Sequence, residues 1–277
     1  MTINEIIENA LREDIGNGDH SSLSCIPKDA AGKAHLLIKD NGIIAGVAIA
    51  EKIFLKVDHK LKLSIRLHDG TNIQKGDVAF TVEGSSISIL SAERLVLNFM
   101  QRMSGIATAT NELVEIIKGT KAKILDTRKT TPLLRELEKM AVRIGGGFNH
   151  RMGLYDMIVI KDNHVDFGGG IEKTIFSAQK YLKKNNKDLK IEIEARNLYD
   201  VKEIMRVGGV NRIMLDNFTP EKLKDAVELI NGRFETEASG GIKKGNIRAY
   251  AETGVDFISV GAITHHIKSL DMSLKAV

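Results

Sequence analysis

The chain has 277 residues, 43% apolar and 27% charged, with a formal net charge of +4, 5% aromatic residues and no tryptophan. This is the composition of a soluble globular protein long enough for one large or two modest cores. It argues against a nucleic-acid binder, because no Lys/Arg block is interleaved with stacking aromatics, and the longest apolar run, Ile43 to Ala50, falls far short of the roughly 20 residues that cross a bilayer. Cys25 is the only cysteine, so neither an intrachain disulfide nor a thiolate zinc site can form. The first residues are charged and amphipathic with no signal-peptide core, and the expected location is the cytoplasm.

Taken in order, the apolar positions change period twice. Ile3, Ile6, Ile7, Ala10 and Leu11 share one helical face over residues 3–14, and Gly16-Asn17-Gly18-Asp19 supplies turn chemistry after it. Short strands follow at His35–Ile38, Gly42–Ala48, Leu61–Ile65 and Val78–Val82, with a helix near Ala48–Val57. From Ala92 to about Lys118 a long helix carries Leu95, Val96, Phe99, Met100, Met103, Ile106 and Ala107 in one buried stripe, with Arg102 on its border. After Gly119 strand and helix alternate. Strands are expected near Ala122–Asp126, Met157–Lys161, Lys190–Glu194, Arg212–Asp216, Phe234–Ala238 and Phe257–Val260. The first helix between them carries Leu133, Leu134, Leu137, Met140, Ala141 and Ile144, and Thr219-Pro220 opens another as N-cap and first-turn proline. Six apolar, β-branched strands in such units predict a β/α barrel, complete or lacking a strand.

The ends of these strands carry the chemistry. They read Asp126-Thr127-Arg128-Lys129, Lys161-Asp162-Asn163-His164, Glu192-Ile193-Glu194, Asp216-Asn217, Ser239-Gly240-Gly241 and Gly261-Ala262. In a β/α barrel those ends converge on the active site. Arg128, Lys129, His150, Arg151 and Lys161 gather positive charge for an anionic substrate, arginine suiting carboxylates and lysine suiting phosphates. Glu194 and Asp216 suit Mg²⁺, which takes few carboxylates and several substrate oxygens; the alternative is that they balance nearby lysines. The two glycine turns occupy the positions where barrels bind phosphate through backbone N–H groups. A phosphorylated, Mg²⁺-bound substrate together with a carboxylate-bearing one fits phosphoribosyl transfer, chemistry that needs positioning and a stabilised leaving group.

The motifs D-T-R-K-T-T-P, G-G-G-F-N-H-R-M-G, I-K-D-N-H, E-I-E, L-D-N, E-A-S-G-G-I and I-S-V-G-A-I-T-H resemble those of the bacterial-type quinolinate phosphoribosyltransferase family, the carboxylating nicotinate-nucleotide pyrophosphorylases. The likeness also takes in E-R-L-V-L-N-F-M-Q-R-M-S-G-I-A-T of the long helix and G-N-G-D-H-S-S near the start. It implies an N-terminal α/β sandwich over residues 1–106, an open seven-stranded α/β barrel over 107–265, and a segment 266–277 returning to the first domain. It implies transfer from phosphoribosyl pyrophosphate to quinolinate with loss of CO₂, in a homodimer with shared sites. Position by position, Arg128, His150 and Arg151 would hold the quinolinate carboxylates, with Lys129 and Lys161 between quinolinate and pyrophosphate. Glu194 and Asp216 would face the ribose hydroxyls and Mg²⁺; Ser239, Gly240 and Gly261 would bind the 5′-phosphate with His265 close by; Arg102 would reach the neighbouring subunit. Two positions depart from the family pattern: Leu133, where many members have glycine, and His266, where the last motif of many members ends Thr-His-Ser and this one continues His265-His266.

Overall fold

A computed structural model describes residues 2–277. Two compact units emerge, one made of the chain through Asn111 with Thr130–Gly146 and Ile263–Val277, the other of Glu112–Lys129 and Gly147–Ala262.

In the first unit, α1 (Ile3–Ile15) opens with a capping box in which Thr2 and Glu5 satisfy each other's backbone N–H. The G-N-G-D turn runs into a short helix not expected from the sequence, α2 (His20–Cys25), because Asp19 caps it by accepting from Ser22 N–H at 3.1 Å. Next come β1 (Ala31–Ile38), β2 (Gly42–Ile43), α3 (Val47–Val57), β3 (Lys62–Ile65), β4 (Asn72–Ile73) and β5 (Val78–Ser85), then α4 (Ser86–Ile116). The run 42–48, read as a strand, gives only the two residues of β2, since Gly46 turns left-handed (φ 94°) to start α3. A four-stranded antiparallel sheet has the order β12-β1-β5-β3, its outer strand β12 (Met272–Ala276) coming from the C-terminus to lie along β1. Ala34, Leu36 and Ile38 alternate inward along β1. The core adds Ile53, Phe54, Phe80, Met100 and Met103, with the Phe54 and Phe80 rings edge to face at 6.0 Å.

The helix after the D-T-R-K-T-T-P motif, α5 (Arg135–Ile144), groups with this unit. It starts two residues later than its apolar pattern suggests. Leu134 N–H donates to Thr131 O at 3.1 Å, closing a turn with Pro132 and Leu133 at its centre, and Leu133 has φ 68° and is 69% exposed. Proline followed by a residue with φ > 0 is type II turn chemistry, which favours glycine at the second position. Leu133→Gly is therefore expected to raise stability by roughly 0.5–1 kcal/mol, the left-handed penalty less glycine's entropy cost. Urea denaturation checks this, and an unchanged or lower midpoint would contradict it.

The second unit is built on a six-stranded parallel sheet of order β6-β11-β10-β9-β8-β7. The strands are β6 (Lys123–Leu125), β7 (Ile158–Ile160), β8 (Ile191–Ala195), β9 (Arg212–Asp216), β10 (Glu235–Ser239) and β11 (Phe257–Ser259), each inside or within a residue of its expected run. The helices between and after them are α6 (Asp162–Gly168), α7 (Ile171–Lys184), α8 (Leu198–Val207), α9 (Pro220–Ile230), α10 (Ile247–Ala251) and α11 (Ala262–His265), the last passing into the first unit. A seventh sheet position exists in reduced form. Phe148 bridges Leu125 in parallel, donating its N–H to Ile124 O at 2.8 Å and accepting from Asp126 N–H at 3.1 Å.

Register assigns the two faces of this sheet. Glu192 pairs with Arg212, and Arg212 with Glu235, so these residues and those two positions further along share a face. That face carries Glu192, Glu194, Arg212, Asp216, Glu237 and Ser239, whereas Ile193, Ile213, Leu215, Ala238 and Ile258 lie on the other, all buried. A cavity of about 330 Å³ opens at the N-terminal ends of the strands, lined by Lys121, Lys123, Phe234, Glu235, Asp256 and Phe257, away from the strand ends that carry the motifs.

Candidate active site

Asp126 is fully buried just beyond β6, and it joins two motifs. Its carboxylate accepts from His150 N–H at 2.8 Å and from Asn149 Nδ2 at 2.5 Å. The N-H-R segment is thereby fastened beside D-T-R-K, as a buried carboxylate requires donors of this kind. Arg128 and Arg151 stand close enough to repel. Burial first, and the Arg128 charge second, lower Arg151 from the usual arginine range. Arg151 Nη1 donates to Met157 O at 3.1 Å, while Arg128 and Lys129 are exposed.

Lys161 follows β7. Its Nζ donates to Glu194 Oε2 at 3.1 Å, and its backbone N–H donates to His164 Nδ1 at 2.9 Å, so K-D-N-H opens helix α6 and His164 serves as an internal cap. Glu194 is 7% exposed. Burial raises its carboxyl above the usual range, Lys161 opposes this, and the nearby Asp216 adds to it.

Asp216 accepts from Asn217 Nδ2 at 2.5 Å and is in register with Ser239 on β10. Asn217, itself left-handed at φ 56°, donates its N–H to Ser239 O at 2.8 Å. Gly240 has φ 92°, and a Cβ there would fall 2.2 Å from Asn217 Oδ1 and 2.9 Å from its backbone N. The carboxylate pair and the S-G-G turn therefore meet through Asn217, a residue whose sequence context L-D-N gave no separate signal.

One layer deeper along the strands lies a charged cluster that the apolar reading of these strands did not foresee. His150 Nε2 stands 2.9 Å from Glu192 Oε2 and 3.5 Å from Glu237 Oε2, and both carboxylates are fully buried. Arg212 donates to Glu237 at 3.0 Å and to Glu235 at 3.1 Å, with its guanidinium 4.0 Å over the Phe257 ring. Burial and Glu237 push Glu192 up to about 7. Burial opposes charge on His150, and the two carboxylates outweigh it, which would hold the ring to about 9. The Arg151 N–H, however, donates to His150 Nδ1 at 2.7 Å and occupies the nitrogen that a second proton would take. While that amide bond is made, the ring carries one proton, on Nε2. Among the described residues, His150, Glu192 and Glu237 are the one group of three at metal-ligand spacing.

Arg102 and His265 have neighbours within the chain. Arg102 is engaged within its own chain. Its Nε and Nη2 donate to Glu138 Oε1 at 2.9 and 2.6 Å, and Nη2 also donates to Thr131 Oγ1 at 2.7 Å. Glu138 is 1% exposed and would lose its guanidinium partner without this arginine. His265, exposed at the end of α11, packs edge to face on His266 at 4.6 Å. Gly261 begins the turn between β11 and α11.

Parallel strands that end in arginines, lysines, two carboxylates and a glycine turn make an enzyme of the α/β-barrel class. The chain belongs to the quinolinate phosphoribosyltransferase family: residues 19–104 match the family's N-terminal domain and residues 106–275 its C-terminal domain. It is 46% identical to quinolinate phosphoribosyltransferase [decarboxylating] 2, mitochondrial, of Nicotiana glauca, over 99% of this chain and 82% of that one. It is 47% identical to the chloroplastic nicotinate-nucleotide pyrophosphorylase [carboxylating] of Arabidopsis thaliana, over 98% and 81% respectively. Among solved structures, the nicotinate-nucleotide pyrophosphorylase of Francisella tularensis superposes with TM-score 0.93 at 38% identity, covering 99% of this chain and 96% of the other. NadC of Streptococcus pyogenes superposes with TM-score 0.94 at 37% identity, covering 99% and 97%. No helix among the described residues is long and apolar enough to cross a membrane.

Proposed function

We propose that the chain transfers the phosphoribosyl group of phosphoribosyl pyrophosphate to quinolinate with loss of CO₂, giving nicotinate mononucleotide and pyrophosphate for de novo NAD synthesis. Family membership supports the reaction, and the observation that carries the substrate choice is the pair of neighbouring arginines, Arg128 and Arg151, beside Lys129 and Lys161. Two guanidinium forks match a pyridine dicarboxylate, while the lysines act as point charges toward pyrophosphate. Burial of Glu194 beside Asp216, with Lys161 on the same carboxylate, suits Mg²⁺ shared with substrate oxygens. When bound, the ion would neutralise charge developing on pyrophosphate. Ser239, Gly240 and Gly261, with His265, would receive the 5′-phosphate. Ribosyl transfer precedes decarboxylation in this reading, because an N-ribosylated pyridinium stabilises the carbanion left at the ring position that loses CO₂. Labelled CO₂ released without the phosphoribosyl donor would refute that order. Turnover with quinolinate against nicotinate, with and without Mg²⁺, tests the whole; equal or better use of nicotinate overturns it.

The protein acts, in this reading, as a homodimer in the cytoplasm, each subunit lending an arginine to the other. The arginine expected to be lent is Arg102 of α4, which is held to Glu138 in its own chain while its side chain stays 30% exposed. Mixing Arg102→Ala chains with Glu194→Ala chains is expected to restore about half of wild-type activity per mixed dimer, as expected when one of two shared sites is intact. Arg102→Ala is also expected to lower thermal stability, because it leaves buried Glu138 without its guanidinium partner. No recovery in this mixture would argue against sharing through Arg102.

A further inference from the structure

The interior cluster below the strand ends has a role that the carboxylate and phosphate contacts leave open. Both oxygens of Glu192 and one of Glu237 are buried without a well-aligned hydrogen bond, a costly state that proteins keep where a neighbouring group needs them. Their nearest shared donor is His150 Nε2. The other ring nitrogen accepts from the N–H of Arg151, and Arg151 is the arginine beside Arg128. Asp126 fixes the backbone of the same dipeptide through His150 N–H. The imidazole is thus flanked at both ring nitrogens.

We propose that Glu192 and Glu237 are positioning residues for substrate capture: they seat the His150 ring through Nε2, and the ring seats Arg151 through its backbone N–H. This rests on the proposed quinolinate reaction and gives His150, expected to hold a quinolinate carboxylate, a positioning part in it as well. A metal ion on His150, Glu192 and Glu237 is the competing use of the cluster, and it conflicts with Arg212, which already donates to Glu237.

The test separates an acceptor from a charge. Glu192→Leu fills the space and removes the acceptor; Glu192→Gln keeps an acceptor and removes the charge. The leucine variant is expected to raise the KM for quinolinate about tenfold, leaving kcat and the KM for phosphoribosyl pyrophosphate within about twofold. The glutamine variant is expected to restore the quinolinate KM to within about threefold of wild type. Equal impairment of both variants, or an unchanged quinolinate KM in the leucine variant, overturns the proposal. So does one equivalent of a transition metal that copurifies with the wild type and is lost in Glu192→Gln. Independently of any variant, ¹⁵N resonances of His150 in the free enzyme are expected to show Nε2 protonated and Nδ1 bare; protons on both overturn it. A wild-type protein that does not turn over quinolinate would sink the proposed function itself, whereas the KM pattern of the variants judges this inference alone.

Discussion

Glu194→Ala is expected to lower kcat/KM for phosphoribosyl pyrophosphate by about 10²–10³-fold while leaving the KM for quinolinate within a few-fold. Glu194 is buried, bonded to Lys161, and close enough to Asp216 for that carboxylate to disfavour charge on Glu194. Two like charges kept together in a buried site are a standing cost, and a cation shared with the substrate relieves it. Removing one carboxylate takes away half of the proposed Mg²⁺ site and also frees Lys161. The loss therefore falls on use of the pyrophosphate donor. Steady-state kinetics with each substrate varied in turn, at several Mg²⁺ concentrations, checks it. A uniform loss on both substrates, or none, would contradict the assignment.

Gly240→Ala is expected to be nearly as damaging, by a different route. The residue is left-handed, and its new Cβ would meet Asn217 at Oδ1 and at the backbone N, well inside van der Waals contact. Asn217 cannot retreat freely, since its N–H is bonded to Ser239 O and its side chain to Asp216. The substitution moves either the S-G-G turn or the Asp216 carboxylate, and displacements of about 1 Å at such a site cost on the order of 10²-fold. A fall of that size in kcat/KM for the donor is expected, with a stability loss of about 2–3 kcal/mol from strain and overpacking. Gly241 has a left-handed φ of 64° but open space around its Cβ position, so Gly241→Ala is the matched control and is expected to retain more activity. Equal activity of the two variants would show that the contact with Asn217 is not what matters.

Much of this was legible before any coordinates. The six barrel strands stood out because each is a short apolar run bounded by polar residues, and period alone marks such runs. The strand-end residues could be collected because every parallel strand presents its C-terminal end to one side. Other features escaped the period. Phe148 occupies the seventh sheet position with a single bridge, too short to leave a pattern within G-G-G-F-N. Leu133 belongs by hydropathy to a helix and by backbone to a turn, because Thr131 O captures the Leu134 N–H first. Arg102 was visible as a charge at the edge of a buried stripe, but its partner Glu138 lies 36 positions along the chain.

The sequence by itself determined the element order, the parallel sheet and the set of ionisable residues at the strand ends, because those depend on local apolar spacing and on chain direction. Only the tertiary structure decided which of those residues act on one another. Glu192, Arg212 and Glu237 sit on three adjacent strands, and register alone turns them to one buried face with His150 against them. Such neighbourhoods are set by strand order and register, long-range pairings that no local window of sequence contains, and they decide whether a charge faces solvent, a substrate or another charge.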